Sequence, residues 1–244
     1  MNNIVPFILG VISSIIATII CGFAIIFYKG AKGFPGIKIA CRLIIDCVNS
    51  GIVNLFSCRK VYSEHKDHGS PSDYIKKAEC KVMYVGFWLS HGTEIGDITE
   101  TIKYMILRNK KVIIVFINPN NDVVLTSSSE FLGISKDEVK TRVRTSIKKI
   151  ADLYEQVPVE YHHNLELKIH DVPLTASAFL LDFDSVEQCR ILVDYKSYGF
   201  SREDSYGIEY RNKNKKLCKL LCDSYEKIYY ESSLLDINNI RCIK

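Results

Sequence analysis

Residues 4–28 read IVPFILGVISSIIATIICGFAIIFY, about 25 residues without a charge. As a helix rising about 1.5 Å per residue, this run is long enough to cross a hydrocarbon core of roughly 30 Å. No other stretch of the chain comes close. A cleaved signal peptide would need a basic start, an apolar run of about 7–15 residues and a small-residue cleavage site. Here only the α-amino group precedes the run, and Phe27 and Tyr28 close it. A buried core helix is the other reading, but an uncharged run this long with no polar face fits lipid better. The expectation is a retained transmembrane anchor over residues 1–28.

The flanks set its orientation. No Lys or Arg precedes the run, whereas Lys29, Lys32, Lys38 and Arg42 follow it. Basic residues near a span stay on the cytoplasmic side. The chain is therefore expected to be single-pass in a bacterial inner membrane, N-terminus out, with its C-terminal bulk in the cytoplasm. The nine cysteines are odd in number, and most sit inside apolar periodic segments. That is the usage of small buried hydrophobes in a reducing compartment rather than of a disulfide frame. Cys218 and Cys222 have helical i,i+4 spacing, but a zinc site would need two further ligands at defined spacing. No metal and no cofactor is expected.

Residues 29–56 form the second segment. Gly30–Gly36 (GAKGFPG) is a breaker. Residues 37–56 (IKIACRLIIDCVNSGIVNLF) read as one amphipathic helix, lying in the membrane interface or packed on the domain that follows. Lys38, Arg42 and Asp46 argue against a second span.

Residues 57–244 have the composition of a cytosolic α/β domain. Residues 70–79 open with Ser-Pro, a helix start. Residues 81–89 (KVMYVGFWL) and 111–117 (KVIIVFI) are continuous apolar runs, hence buried strands. Between them residues 94–109 are helical. Residues 118–121 (NPNN) are a turn. Residues 135–157 form a longer helix, with Ser135 and Glu138 at capping-box spacing. Three further strands are expected at 165–170, 177–182 and 189–194, and a closing helix at 213–231. Early strand–helix–strand alternation implies a parallel core, and the late consecutive strands imply an antiparallel extension.

The order of elements resembles one lobe of the phospholipase D-like superfamily, over roughly residues 57–235. The segments that carry this are AECKVMYVGFWLS, NKKVIIVFINPNND, LELKIHDVPLTASAFLLD and YEKIYYESSLLD. The resemblance implies a strand bearing His-x-Lys and a following Asp. Thr175 stands in the His position, Ser177 in the Lys position, and only Asp182 is in place. Without that imidazole, the phosphohistidine that the family uses cannot form there. His65-Lys66-Asp67 is contiguous and lacks the spacing. The resemblance therefore implies a relative that keeps the fold without the catalytic pair, so no catalytic residue is assigned.

Ligands of open α/β sheets collect at the carboxyl ends of the strands. The candidates there are Ser90, His91, Gly92 and Thr93, which could hold an anion at a helix start, and Asn118 and Asn120. The plain alternative is an N-cap and a turn. His170 after one strand and Arg202 in a later polar loop complete the candidate ligand set, with Tyr198 and Ser201 beside Arg202. Arg59, Lys60 and Tyr62 suit a lipid headgroup or docking contact. His162 and His163 are adjacent and point apart. Basic and acidic residues number 32 and 28, a net charge of +4. That balance does not by itself argue for nucleic acid, although the face of Lys140, Arg142, Arg144, Lys148 and Lys149 could meet anionic lipid or RNA. In the anchor, Gly10, Ser14 and Ala17 share one small-residue face suited to self-association.

A single anchor, a small cytosolic α/β domain and missing catalytic groups resemble the membrane effectors of bacterial antiphage (abortive-infection) systems, including those encoded beside retrons or second-messenger synthases. The first expectation is a non-enzymatic sensor/effector at the lipid bilayer, triggered by a nucleotide or a protein partner and able to self-associate through its span. The alternatives are a membrane-bound phosphodiesterase-like enzyme and a membrane recruitment scaffold.

Overall fold

The structure is a computed structural model that describes residues 35–57, 70–89, 93–199 and 205–235. The expected anchor, with Gly10, Ser14 and Ala17, lies outside these residues. Among the described residues no helix is long and apolar enough to cross a membrane. The chain divides into two compact units, Met1–Val48 and Asn49–Lys244.

The second unit is built on one eight-stranded mixed sheet. Its strands are β1 (Ile52–Phe56), β2 (Lys81–Gly86), β3 (Lys111–Ile117), β4 (Leu165–His170), β5 (Ala176–Leu181), β6 (Arg190–Tyr195), β7 (Tyr206–Arg211) and β8 (Ser233–Leu234). The order across the sheet is β1-β7-β6-β5-β2-β3-β4-β8. β2, β3 and β4 run parallel. β5, β6, β7 and β1 extend the sheet antiparallel from β2, and β8 closes the other edge against β4. The parallel core and the antiparallel extension are as the alternation pattern predicts.

The helices are α1 (Pro35–Ser50), α2 (Pro71–Lys76), α3 (Thr93–Ile106), α4 (Asp122–Leu132), α5 (Lys136–Gln156) and α6 (Lys216–Glu231), with a 3-10 helix at Val159–Asn164. Along β2 and β3 both side-chain faces are buried from the second residue onward. A strand needs layers on both sides for that, which is why these two read as continuous apolar runs. α2 packs on α3, α3 on β3 and α5, and α6 on β4, β6 and β7. Met83, Ile113, Ile114, Val115 and Phe116 are at most 1 % exposed, each contributing about 1.5–3 kcal/mol by burial.

Local chemistry fixes the helix starts. Ser70 and Asp73 make a reciprocal capping box at α2. Ser135 accepts the Glu138 N–H at 3.1 Å, but the Glu138 carboxylate turns to Arg142 instead of closing the expected box.

Three elements depart from the sequence expectation. Residues 37–56 are not one helix. α1 stops at Ser50, Gly51 takes φ +83°, and β1 joins the sheet edge beside β7. Gly51 is required there, because a Cβ would lie 2.8 Å from the Arg211 carbonyl oxygen. The boundary between units accordingly falls at Val48, ahead of residue 56. Second, the turn at 118–121 leads straight into α4, capped by Asn121, which accepts the Val123 and Val124 N–H groups. Third, the polar segment after β6 contains β7, which lies between β6 and β1.

In the first unit α1 carries exposed Ile39, Leu43, Ile44, Ile45 and Val48, each more than half accessible. Arg42 and Asp46 form an i,i+4 ion pair at 3.9 Å. With Asn49 they fall at i,i+4 and i,i+3 spacing, a polar stripe on a largely apolar helix.

Candidate functional site

The parallel strands β2, β3 and β4 end together at Gly86, Ile117 and His170. β5 runs the other way, so its start, at Ala176 and Ser177, lies at the same end of the sheet. The candidate site is this end.

His170 is 2 % exposed. Its Nδ1 accepts the Val172 N–H at 3.2 Å, which leaves the neutral ring's proton on Nε2. Among the described residues no hydrogen-bond partner is recorded for that buried Nε2. Burial pushes the imidazole pKa down to about 4, so the ring is neutral at physiological pH. Its carbonyl accepts the Asn118 N–H at 2.8 Å. His170 and Asn118 are thus brought together. Asn118 Oδ1 accepts the Asn120 N–H at 2.9 Å, as an Asx turn does. The Asn120 side chain accepts from Arg144 on α5 at 3.4 Å.

Ser177 is buried, whereas Thr175 is exposed just before β5. Around Gly86 the fold closes tightly. A Cβ there would collide with the Tyr84 hydroxyl and lie 2.8 Å from Ser177 Oγ. The Tyr84 hydroxyl donates to the Trp88 carbonyl at 2.9 Å, which ties down the chain leaving β2. Ser146 of α5 holds the next residue, accepting the Leu89 N–H at 3.1 Å. Asp194, in register with Ser177 on β6, is paired with Lys196 at 3.1 Å. This end of the sheet thus brings together hydroxyl groups, a neutral buried imidazole and an Asp–Lys ion pair.

Asp182 is 6 % exposed with φ +46°. Its carboxylate accepts the N–H groups of Glu79, Cys80 and Lys81 at 2.7, 2.8 and 3.0 Å. It fixes the start of β2, at the opposite end of the sheet from Gly86.

Ser90, His91, Gly92, Ser201 and Arg202 lie outside the described residues, as do Arg59, Lys60 and Tyr62. Thr93 is the first residue of α3. Tyr198 is exposed and meets Phe131 edge-to-face, with centroids 6.2 Å apart. In the basic face of α5, Arg142 serves Glu138 and stands 5.3 Å from the Trp88 ring, while Arg144 reaches Asn120. Lys148 and Lys149 remain exposed. His162 is internal to its own turn, with Nε2 2.7 Å from the Val157 carbonyl oxygen and its ring on Tyr154 at 3.7 Å.

Two groupings escape a reading of the sequence. One is the closure of Tyr84 and Ser177 over Gly86, a tertiary contact with no local signal. The other is the convergence of Cys189 with Cys218 and Cys222, which places three sulfurs within 4.8 Å of one another. The helical spacing of 218 and 222 is legible in the sequence, but the third cysteine is supplied by the fold.

No family model matches the chain, and no curated protein sequence does. Among solved structures it is similar to the phosphatidylserine synthase of Haemophilus influenzae, at 10 % identity and a TM-score of 0.47, over 69 % of this chain and 37 % of that one. It is also similar to Nuc, a phospholipase D family member of Salmonella typhimurium, at 12 % identity and a TM-score of 0.39, over 67 % of this chain and 87 % of that one. The chain therefore spans little more than a third of the synthase's length. At these scores the likenesses carry no argument about the site, and the mixed α/β architecture rests on the strand order described above.

Proposed function

We propose that this chain is a membrane-anchored, non-enzymatic sensor/effector. In this reading the α/β unit receives a nucleotide or protein trigger and the N-terminal apolar segment executes the response, as in the antiphage effectors that its architecture resembles. The observation that carries the reading is α1. It directly follows the uncharged run of residues 4–28, and its large apolar side chains are exposed. Water disfavours such a surface, whereas a bilayer interface accommodates it, with Arg42, Asp46 and Asn49 on the wet side. The strand-end chemistry supports the second half of the reading. On the resemblance read from the sequence, Thr175 and Ser177 would stand at the family's catalytic positions, and the Tyr84 hydroxyl fills the space over Gly86.

The test is carried out in cells with the full chain. Triggering or overexpression is expected to depolarise the inner membrane, and Gly10→Ile with Ser14→Ile is expected to weaken both depolarisation and self-association while leaving insertion intact. Equal toxicity from a chain lacking residues 1–28 would overturn the reading and favour a cytosolic enzyme. A C-terminal reporter active only in the periplasm would overturn the N-out, C-in topology.

A further inference from the structure

Cys189 immediately precedes β6, and Cys218 and Cys222 lie one turn apart on α6, whose N-terminal half closes over it. All three are fully buried. Cys189 Sγ is 3.3 Å from Cys222 Sγ and 3.9 Å from Cys218 Sγ. Thiolates held tetrahedrally at about 2.3 Å from a zinc ion stand about 3.8 Å apart, so the spacing is already that of a ligand set. An ion in the plane of the three sulfurs would lie about 2.4 Å or less from each, given that no pair exceeds 4.8 Å.

The donors are uniformly soft. Among the described residues no imidazole or carboxylate joins the group. Soft thiolates select zinc, iron–sulfur clusters and cuprous copper, and structural zinc takes four protein ligands where this group offers three. We propose that Cys189, Cys218 and Cys222 form a buried trigonal site for a soft, thiophilic ion, of which Cu(I) is the type.

Binding is a ligand exchange without electron transfer. Three S–H bonds release their protons to solvent, three copper–sulfur bonds replace the copper's bonds to the ligand that delivers it, that ligand leaves into solvent, and copper stays Cu(I). The product is anionic, and the charge of Lys213 already acts on the cluster. Its ammonium is fixed by the Phe183 carbonyl and the Glu226 carboxylate, each at 3.0 Å. Without metal the three thiols are fully buried and close enough to hydrogen-bond one another. They then pack as small apolar groups, so the fold does not need the metal to form. The ion would add a link between α6 and the start of β6.

The test uses the full chain in detergent with Cys21, Cys41, Cys47, Cys58, Cys80 and Cys242 changed to Ser, under anaerobic conditions. The probe is Cu(I) offered as its bathocuproine disulfonate complex. The expected result is one Cu(I) kept per chain, with copper-edge absorption showing three sulfur ligands and no nitrogen or oxygen ligand. Adding Cys189→Ala should weaken retention at least tenfold, with circular dichroism unchanged. If the six-serine chain does not fold, wild type and Cys189→Ala are compared by the copper-induced rise in Tm. Exposed thiols bind folded and unfolded chains alike and contribute little to that rise. Failure to retain copper, a two-sulfur absorption signature, or a Tm rise that Cys189→Ala leaves intact would overturn the proposal.

Discussion

Asp182 and His170 show how single buried groups set the character of the two sheet ends. The Asp182 carboxylate receives three backbone N–H groups, and bonds to a charged acceptor contribute about 1.5–3 kcal/mol each when not shared. Asp182→Ala leaves three donors at the start of β2 without their acceptor. It should cost about 3 kcal/mol or more in a urea titration, and Asp182→Asn, which keeps one acceptor oxygen, should cost less. Equal stability of Asp182→Ala and wild type would show the carboxylate to be dispensable. His170 makes the opposite case, a group kept neutral. Its folded pKa of about 4 lies below the unfolded value of about 6.5. Between those values the unfolded chain binds more protons, so stability rises with pH through this window and is fully present above it. The loss on going from pH 6.5 to 4 is on the order of 3 kcal/mol from this group. His170→Gln should flatten that part of the stability–pH curve. A variant curve that keeps the wild-type slope would place the effect elsewhere.

At the scale of elements, legibility followed how completely a segment's own residues state its environment. β2 and β3 are buried on both faces, so their apolar runs are unbroken and could be read directly. β1 could not, because IVNLF continues the apolar pattern of the preceding helix, and its strand character comes from β7. There Asn54 donates to the buried Glu209 at 2.6 Å, and Arg211 Nε donates to the same carboxylate at 2.9 Å. β7 was hidden for the converse reason, since YGIEYR has too few apolar residues to announce a strand. The end of α4 did leave a signal, the glycine at 133, which takes φ +65° as a left-handed C-cap. A Cβ at Gly133 would meet only Gly199 at 3.5 Å, an ordinary contact. Gly133→Ala should therefore cost about 1 kcal/mol, from backbone conformation alone. A loss of several kcal/mol in chemical denaturation would mean that packing, too, depends on this position. The candidate site was legible where it sits at strand ends, as with His170 and Asn118. It was illegible where it depends on contact between strands, as with Tyr84, Ser177 and Gly86.

At the scale of the whole molecule, the division at Val48 separates two kinds of stability. Among the described residues the hydrophobic core begins at Phe56, with Ile52 packed against it, and Asn49–Lys244 form a compact unit by themselves. The α/β unit should then fold without residues 1–48. A chain starting at Asn49 is expected to unfold cooperatively with a Tm within about 3 °C of the full chain in detergent, a difference under about 1 kcal/mol for a unit of this size. The exposed apolar face of α1 is removed with the anchor, so the shortened chain should also remain in the supernatant when mixed with liposomes that the full chain binds. The two readouts separate the explanations. If the shortened chain folds but still pellets with liposomes, a surface of the α/β unit itself meets lipid, and the exposed Lys148 and Lys149 on α5 become the first residues to neutralise. If it fails to fold, residues before Asn49 supply stability that the buried core does not account for.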